Sequence, residues 1–356
     1  MENLVYIGFQ IQCRMNEKKN VSLSRQCVGI DIAKQTFTAC VCKLYSDDDT
    51  RKSEVCEFSN NKTGFNQMVK WSRKHLTADT PSVYLMEATG VYYESLAYHL
   101  HDKVGAHVCV VLANKAKAFA KYQDIWTKTD EMDCQVLALL GVKEPRLRMW
   151  EPPKPIYREL RSMSRLGSEL TKLHTQISNQ LDAVLNSAYP DKSVIGHLRG
   201  LLKDIEKREK ENENAIIVKV KEDKDLLSRV ERLATIRSVG ISTIVTVIAE
   251  TNGFELISSR KQLCSYAGFD IVERDSGTAV KGRPRISKKG NSRIRAALYF
   301  PAIVATKHNP QMKEDYVRIV AKHPDKKMIG ITAIERKLLL LIYTLWKNGE
   351  EYRDDA

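Results

Sequence analysis

Four acidic residues lie at positions where carboxylates can take part in metal-assisted chemistry. Asp31 stands within the apolar run VGIDIA, and Glu87 ends a second apolar run. A buried carboxylate without a partner is costly, so Asp31 needs a cation or a water-filled cleft. Glu87 ends its predicted strand at the edge where α/β sheets place ligand-binding groups. Asp130 and Asp133, three residues apart at a predicted helix start, project onto one face of that helix.

Each carboxylate also has an ordinary structural interpretation, and the residues alone leave the choice open. Asp31 could be an acidic residue at a strand end. The pair that follows Thr129 is typical of a helix N-terminus, where the dipole favours negative charge. Four carboxylates clustered together would, however, repel one another without metal. Oxygen-only ligands favour Mg²⁺ or Mn²⁺, and two such ions about 4 Å apart can hold the attacking and leaving oxygens of a phosphodiester in line.

A second group with chemical potential is a basic run near the C-terminus. From Lys281 to Arg295, seven of fifteen residues are Lys or Arg and none is acidic. Such a run repels itself unless it meets a polyanion, so we expect phosphate contact; the alternative is a solvated surface loop. Ser276, in an Asp-Ser-Gly turn ahead of the run, is by itself a commonplace turn serine. The seven basic residues are Lys281, Arg283, Arg285, Lys288, Lys289, Arg293 and Arg295.

The composition narrows the class of protein. The chain has 356 residues, which predicts roughly two to three domains. Its 43% hydrophobic and 28% charged residues exclude disordered and fibrous classes. With 57 Lys and Arg against 44 Asp and Glu, the net charge of +13 favours nucleic acid as a partner. No apolar run is long enough to span a bilayer and no signal-peptide pattern is present, so we expect a cytoplasmic protein without a membrane partner.

The N-terminal part of the chain is predicted to be α/β. Residues 1–25 lack strong periodicity and are expected to form a loosely attached extension. In residues 26–148, the apolar patterns predict three antiparallel strands, a helix, and then strands and helices in alternation. This order is typical of an RNase H-like domain. The run WEPPKP, at Trp150–Pro155, cannot continue a helix and marks the end of this domain.

The rest of the chain is predicted to be all-α or nearly so. In residues 156–230, apolar residues recur every three or four positions, and a turn and a second, charged helix follow. This pattern predicts an antiparallel helical hairpin or coiled coil, which is either a packed pair within one subunit or an oligomerisation arm. Residues 231–356 are expected to hold a helix–glycine turn–helix segment, the basic loop and further helices.

Several segments taken together resemble a known family. They are VGIDIAK, YLMEATGVYYE, NKAKAFAKYQDIWTKTDEMDCQVLA and LCSYAGFDIVERDSGTAVKGRPRISKKGNSRIRAALYFPAIVATKHNP. In this order, and from about Cys27 to the C-terminus, they resemble the IS-one-ten family of insertion-sequence transposases, relatives of Piv-type DNA invertases. The chain departs from the family at Arg237-Ser238-Val239-Gly240, where Pro-Gly-Ile-Gly is usual, and at Cys134, where Ala is common.

The resemblance implies a site and a mechanism. It implies an RNase H-like (RuvC-like) N-terminal domain, in which Asp31, Glu87, Asp130 and Asp133 form a catalytic site for Mg²⁺ or Mn²⁺. It also implies a C-terminal transposase domain in which Ser276 is the catalytic nucleophile. In this family, metal ions polarise a DNA phosphodiester and the serine attacks phosphorus. The resulting phosphoserine link stores the bond energy for rejoining.

The resemblance further implies partners. Donor and target DNA would be the substrates, and a structured bridge RNA would choose the target. The catalytic site would be composite, shared between protomers of a tetramer that is assembled from dimers. The helical hairpin would then be the oligomerisation arm, and the basic loop would hold RNA and DNA backbones.

The amino-acid sequence is also compatible with two other functions. A RuvC-like metal-dependent nuclease, acting by water attack, needs the four carboxylates but not Ser276. A nucleic-acid-binding relic of a transposase needs neither. The intact set of carboxylates argues against the relic.

Overall fold

The structure, a computed structural model, describes residues 21–88, 90–127, 129–255, 257–273, 275–276, 280–281, 285–322 and 324–353. For residues 275–276 and 280–281 it describes the backbone alone. Its contacts divide the chain between Pro152 and Pro153 into two compact units. The division falls within the proline-rich run that is predicted to end the first domain. Residues 1–20 of the predicted extension lie outside the described part of the chain.

The first unit is built on a mixed sheet. Its strands are β1 (Leu23–Ile32), β2 (Thr36–Tyr45), β3 (Thr50–Lys52), β4 (Cys56–Ser59), β5 (Ser82–Glu87) and β6 (His107–Val111). The sheet order is β3–β2–β1–β5–β6, and β4 also pairs with β2. β1 is antiparallel to β2 and parallel to β5, which is in turn parallel to β6. The sequence therefore predicts the succession of strands along the chain, except that it misses the short, polar β3.

Helices cover both faces of this sheet. They are α1 (Lys62–His75), α2 (Glu94–Tyr98, continuing as a π-helical turn over His99–Val104), α3 (Ala113–Tyr122) and α4 (Asp130–Lys143). On one face, Val28 and Ile30 of β1 pack with α1 and α2. On the other, Cys27 packs with residues of α3 and α4. Burial on both faces explains why β1 is an almost continuous apolar run, with Asp31 as its acidic exception.

Small residues let α4 approach β1 closely. A Cβ atom added to Gly29 would overlap the backbone of Cys134 and Ala138. One turn further along α4, a Cβ atom on Gly141 would overlap the side chain of Cys27. Cys27, Gly29 and the acidic residue after Ile30 share one face of β1, because side chains alternate along a strand. The N-terminus of α4 therefore lies at the end of the strand that carries the acidic residue.

The sheet begins before the predicted start of the domain. Leu23 pairs with Tyr45 in the β1–β2 ladder, and Ser22 and Ser46 exchange hydrogen bonds of 3.1 and 2.9 Å. The assignment of residues 22–25 to a loose extension is therefore wrong. The physical reason is that β2 continues to Tyr45, and its backbone groups need a partner strand there.

The second unit is mostly helical. Its helices are α5 (Pro155–Leu185), α6 (Lys192–Lys221), α7 (Lys224–Ala234), α8 (Ile241–Glu250), α9 (Arg260–Ala267), α10 (Ser292–His308), α11 (Pro310–Ala321) and α12 (Lys327–Asn348). Four two-residue strands lie between α9 and α10: β7 (Ile271–Val272), β8 (Asp275–Ser276), β9 (Val280–Lys281) and β10 (Arg285–Ile286). β7 pairs with β10 and β8 pairs with β9, both antiparallel. No described helix is both long and apolar enough to cross a membrane.

The predicted helical hairpin is present as α5 and α6. Its base belongs to the core of the second unit, where Leu160, Ile216 and Val220 pack with buried residues of α8 and α12. The predicted boundary at residue 230 is therefore not a boundary between separate cores. Beyond the base, no residue from 171 to 211 is buried.

The predicted basic loop is shorter than expected. Ser292 begins α10, so Arg293 and Arg295 lie in its first turn and not in a loop. Asn291 caps this helix by accepting hydrogen bonds from two first-turn amides, at 2.9 and 3.3 Å. Asn is among the residues that best satisfy the free N–H groups of a helix start, which explains why the loop ends there.

Candidate functional site

Asp31 and Glu87 lie side by side at the end of neighbouring strands. β1 and β5 are parallel and in register up to the pair Ile30 and Met86. Asp31 and Glu87 each follow a member of that pair, so they occupy matching positions at the same sheet edge. Asp31 also lies on the face of β1 that α4 covers. The sheet therefore directs both carboxylates towards the start of α4.

The start of α4 is held at this sheet edge. Thr129 caps the helix by accepting a hydrogen bond of 3.2 Å from a first-turn amide. Thr38 of β2, which pairs with Asp31, donates a hydrogen bond of 3.1 Å to the Asp130 carbonyl oxygen. The first turn of α4, which contains Asp133, is thus attached to the strand beside Asp31. Capping and catalysis are compatible roles for this turn, because the cap uses Thr129 and leaves the Asp carboxylates for other partners.

The four carboxylates form one electrostatic cluster. Burial, followed by the negative charges of Asp133, Asp130 and Glu87, raises the pKa of Asp31 to about 6. A hydrogen bond from the backbone amide of Ile32 acts in the opposite direction but is outweighed. The structure therefore brings together all four acidic residues that the sequence singles out. A carboxyl group with such neighbours is stabilised as an anion by any cation that enters the cluster.

The donor chemistry of the cluster fits a hard divalent cation. Its side chains offer oxygen ligands, as Mg²⁺ and Mn²⁺ prefer. Burial raises the pKa of the neighbouring Cys134 thiol to about 12, so this thiol is protonated near neutral pH. Within the described ranges, no three Asp, Glu, His or Cys side chains already converge as ligands of one ion. Metal binding by Asp31, Glu87, Asp130 and Asp133 therefore stays a prediction.

An open cleft beside the cluster contains two acidic residues that the sequence analysis missed. The cleft has a volume of about 550 Å³. Glu57 reaches it because it pairs with Thr38 across β2 and β4, and Glu131 reaches it from the first turn of α4. Only the pairing register could have revealed Glu57, since its strand has an ordinary alternating pattern. The lining residues are Thr38, Val55, Glu57, Thr129, Asp130 and Glu131.

The basic residues of the second unit have unequal surroundings. Arg285, Lys288 and Lys289 are exposed. Arg293 is 3.6 Å from Glu169 of the hairpin. Arg295 donates hydrogen bonds to the carbonyl oxygens of Ala267 (2.6 Å) and Lys288 (3.5 Å), so it links the basic loop to α9. Arg283 lies outside the described residues, and Lys281 is described by its backbone alone. Nucleic-acid binding by these seven residues stays a prediction.

A buried carboxylate anchors the end of the basic loop. Glu250 is 3% exposed and accepts hydrogen bonds from Arg165 at 2.8 and 3.0 Å and from Asn291 at 2.8 Å. Burial alone would raise the pKa of Glu250, but these hydrogen bonds lower it overall. Tyr266 donates to the Glu250 carbonyl oxygen (2.7 Å) and accepts at its own carbonyl from the Asn291 amide (2.7 Å). Sequence reasoning missed this anchor, although an acidic residue that ends the apolar helix α8 is a signal for it.

Ser276 lies in a small hairpin of the second unit. It belongs to β8, and its backbone pairs with Val280 of β9; residues 277–279 are outside the described part of the chain. The four carboxylates belong to the first unit. The role of Ser276 as a nucleophile therefore stays a prediction.

Both units match models of transposase families. Residues 28–190 match a DEDD transposase model of the IS110 group, and residues 230–317 match the model described as transposase IS116/IS110/IS902 family. These two matches define the class of the protein as a DNA transposase. The chain belongs to the IS110 family of transposases.

Curated relatives of similar length support this membership. The chain is 28% identical over 337 residues to the pilin gene-inverting protein of Moraxella bovis. This match covers 93% of the chain and 98% of that protein. It is 29% identical over 340 residues to the pilin gene-inverting protein of Moraxella lacunata, with the same coverage. A solved structure of the Ppx/GppA family from Aquifex aeolicus reaches a TM-score of 0.21 at 9% identity, over 92% of each chain, which is too low to carry an argument.

Proposed function

We propose that this transposase cuts and rejoins DNA strands as a metal-dependent serine recombinase. The observation that carries the proposal is the acidic cluster, in which three other carboxylates help to raise the pKa of Asp31 to about 6. Clustered carboxylates at a sheet edge repel one another unless a bound cation or a proton neutralises them, and such clusters are typical of functional sites. The strand order, with β1 central, antiparallel to β2 and parallel to β5, also supports an RNase H-like fold for the first unit.

Divalent cations would give this cluster its chemistry. Asp31, Glu87, Asp130 and Asp133 would bind Mg²⁺ or Mn²⁺, which would polarise a DNA phosphodiester as a Lewis acid. The open cleft beside α4 provides space for the DNA backbone to approach the carboxylates. Thr129 and Thr38 hold the first turn of α4 in place, so the carboxylates need little reorganisation.

Ser276 would supply the nucleophile. Its hydroxyl oxygen attacks phosphorus and forms a phosphoserine bond, while the bond from phosphorus to one DNA oxygen breaks. The proton of the hydroxyl passes to that leaving oxygen, which departs as a DNA hydroxyl group. Attack by a hydroxyl of another DNA end reverses the step and releases Ser276, so the strands rejoin without ATP. This step requires Ser276 and the acidic cluster to act on the same phosphodiester.

The basic surface would bind the nucleic-acid partners. Arg285, Lys288 and Lys289 are exposed, and Glu250 and Asn291 hold the end of their loop in a defined position. A fixed group of cations suits the backbone of donor and target DNA and of a structured bridge RNA, which would select the target. Sequencing of RNA that copurifies with the protein, from cells that carry the flanking non-coding DNA, tests this assignment. Random cellular RNA in place of one short transcript would contradict it.

The hairpin would assemble the protein into an oligomer. Leu166, Leu173 and Leu201 are 52%, 47% and 49% exposed on α5 and α6. Leu173 and Leu201 lie in the part of the hairpin from residue 171 to 211, in which no residue is buried. A helical pair with such residues is stabilised by another copy. The proposed assembly is a tetramer built from dimers.

A covalent trap tests the recombinase directly. We expect the wild-type protein with Mg²⁺ to form a protein–DNA adduct that survives denaturation, whereas Ser276→Ala forms none and cuts no strand. Asp31→Asn should abolish both adduct and cleavage. Strand cleavage by Ser276→Ala would instead establish the second candidate, a nuclease that uses water, which the same acidic cluster favours.

A further inference from the structure

Two exposed aromatic side chains lie just ahead of the acidic cluster in the chain. Tyr122, the last residue of α3, is 79% exposed, and Trp126 is 74% exposed. Trp126 precedes Asp130 by four residues, so their Cα atoms are at most about 14 Å apart. Large aromatic side chains are usually mostly buried, so two exposed rings this close along the chain are typical of a binding surface.

The backbone between the two aromatic residues forms a hydrogen-bonded turn. The amides of Gln123 and Ile125 donate to the carbonyl oxygens of Phe119 (3.0 Å) and Ala120 (2.9 Å). Asp124 has φ +55°, the left-handed conformation that commonly terminates a helix. These are the features of a hydrogen-bonded C-terminal cap. The second ring therefore follows a defined turn and not an irregular loop.

The exposed side of α3 is basic. Lys115, Lys117 and Lys121 are exposed, while Ala116 and Phe119 pack into the core of the first unit. α3 contains no acidic residue. Its charge is therefore opposite to that of the acidic cluster and complementary to a phosphate backbone.

We propose that Tyr122 and Trp126 form a platform on which unpaired bases of the DNA strand stack next to the scissile phosphate. The lysines of α3 contact the backbone of the same strand. Stacking on aromatic rings combined with a basic track is the common mode of single-strand binding, because every base has a π-face. Paired bases inside a duplex cannot stack on these rings. The inference deepens the proposed function, on which it rests for the presence of a DNA strand at the cluster.

Binding measurements with chelator present test the platform. The full-length protein is titrated, in EDTA, against a labelled single-stranded DNA and against the same sequence fully paired. We expect Trp126→Ala and Tyr122→Ala each to weaken single-strand binding about tenfold, since one stacked base contributes roughly that factor. Duplex binding should be unchanged, and Trp126→Phe should bind the single strand nearly as well as wild type.

Tyr189→Ala is the matched control, because Tyr189 is 94% exposed at the turn of the hairpin. It should leave both affinities unchanged. Equal affinity of Trp126→Ala and wild type for the single strand would overturn the platform. An equal loss of affinity of Trp126→Ala for duplex and for single-stranded DNA would also overturn it. So would tighter binding of the wild-type protein to an RNA of the same sequence than to the single-stranded DNA. The assay needs no cleavage, so failure of the recombinase mechanism would not alter its result.

Discussion

Gly29 of β1 lies so close to Ala138 of α4 that a methyl group on Gly29 would overlap the Ala138 backbone nitrogen. This contact sets how closely the helix approaches the strand that carries Asp31. Asp31 lies two residues further along the strand, and Asp130 and Asp133 lie within about two turns of Ala138, nearer the start of the helix. The same close packing therefore brings these three carboxylates together. The acidic cluster therefore depends on a residue that has no side chain.

Gly29→Ala should move α4 away from the sheet. We expect a loss of about 2–3 kcal/mol in the free energy of unfolding of the first unit, as forced overpacking of a core produces, and a loss of DNA cleavage. Urea denaturation and the covalent-adduct assay measure the two effects. Gly196→Ala is the control: a Cβ atom there meets nothing within 4 Å, so it should be neutral or stabilise α6 by about 0.5–1 kcal/mol. Unchanged stability of Gly29→Ala would contradict the close contact.

Glu250→Gln should loosen the end of the basic loop. It leaves Arg165 opposite a neutral group and weakens the hydrogen bond from Asn291. Removal of one partner from such a pair is expected to cost about 3 kcal/mol. Because the pKa of Glu250 is lowered in the folded state, its stabilisation is present above the unfolded value near 4.5 and is lost as pH falls through the folded value. Unfolding curves should therefore differ from wild type more at pH 7 than at pH 3.

Glu335→Gln should have the opposite dependence on pH. Burial raises the pKa of Glu335 to about 7, and the charge of Arg295 only partly offsets this. The folded state therefore binds a proton more tightly than the unfolded state, so wild-type stability falls as pH rises from about 4.5 to 7. Gln mimics the protonated form, and the variant should gain roughly 2–3 kcal/mol over wild type by pH 8 and nothing at pH 4. Parallel stability curves across this range would contradict the raised pKa.

Leu173→Glu should weaken the assembly without unfolding the chain. Leu173 is 47% exposed on α5, so the change places a charge in the proposed interface at little cost to one copy. Sedimentation should show at least about tenfold weaker association, because burial of one leucine contributes about 1.5–3 kcal/mol. Gln176→Glu, also exposed on α5, adds the same charge as a control. If the two variants sediment alike, this part of the hairpin is not an interface.

Much of the architecture and all four acidic residues could be predicted from the amino-acid order. The apolar run around Asp31, the cap residue Thr129 and the three-to-four spacing in α5 are local patterns, and local backbone preferences determine strands, caps and helices directly. Four acidic residues stand out in the sequence because they interrupt or end these patterns and because the chain resembles a known family. They are Asp31, Glu87, Asp130 and Asp133.

Only the tertiary structure decided which of these local patterns meet. The register of β1 with β5 places Glu87 beside Asp31, and the contact of Thr38 with Asp130 holds α4 at the same edge. The partners Arg165 and Glu250 are 85 positions apart in the chain. Periodicity shows which face of a helix or strand is apolar. Which other element packs on that face depends on contacts between segments that are distant in the chain, and no local pattern encodes those contacts.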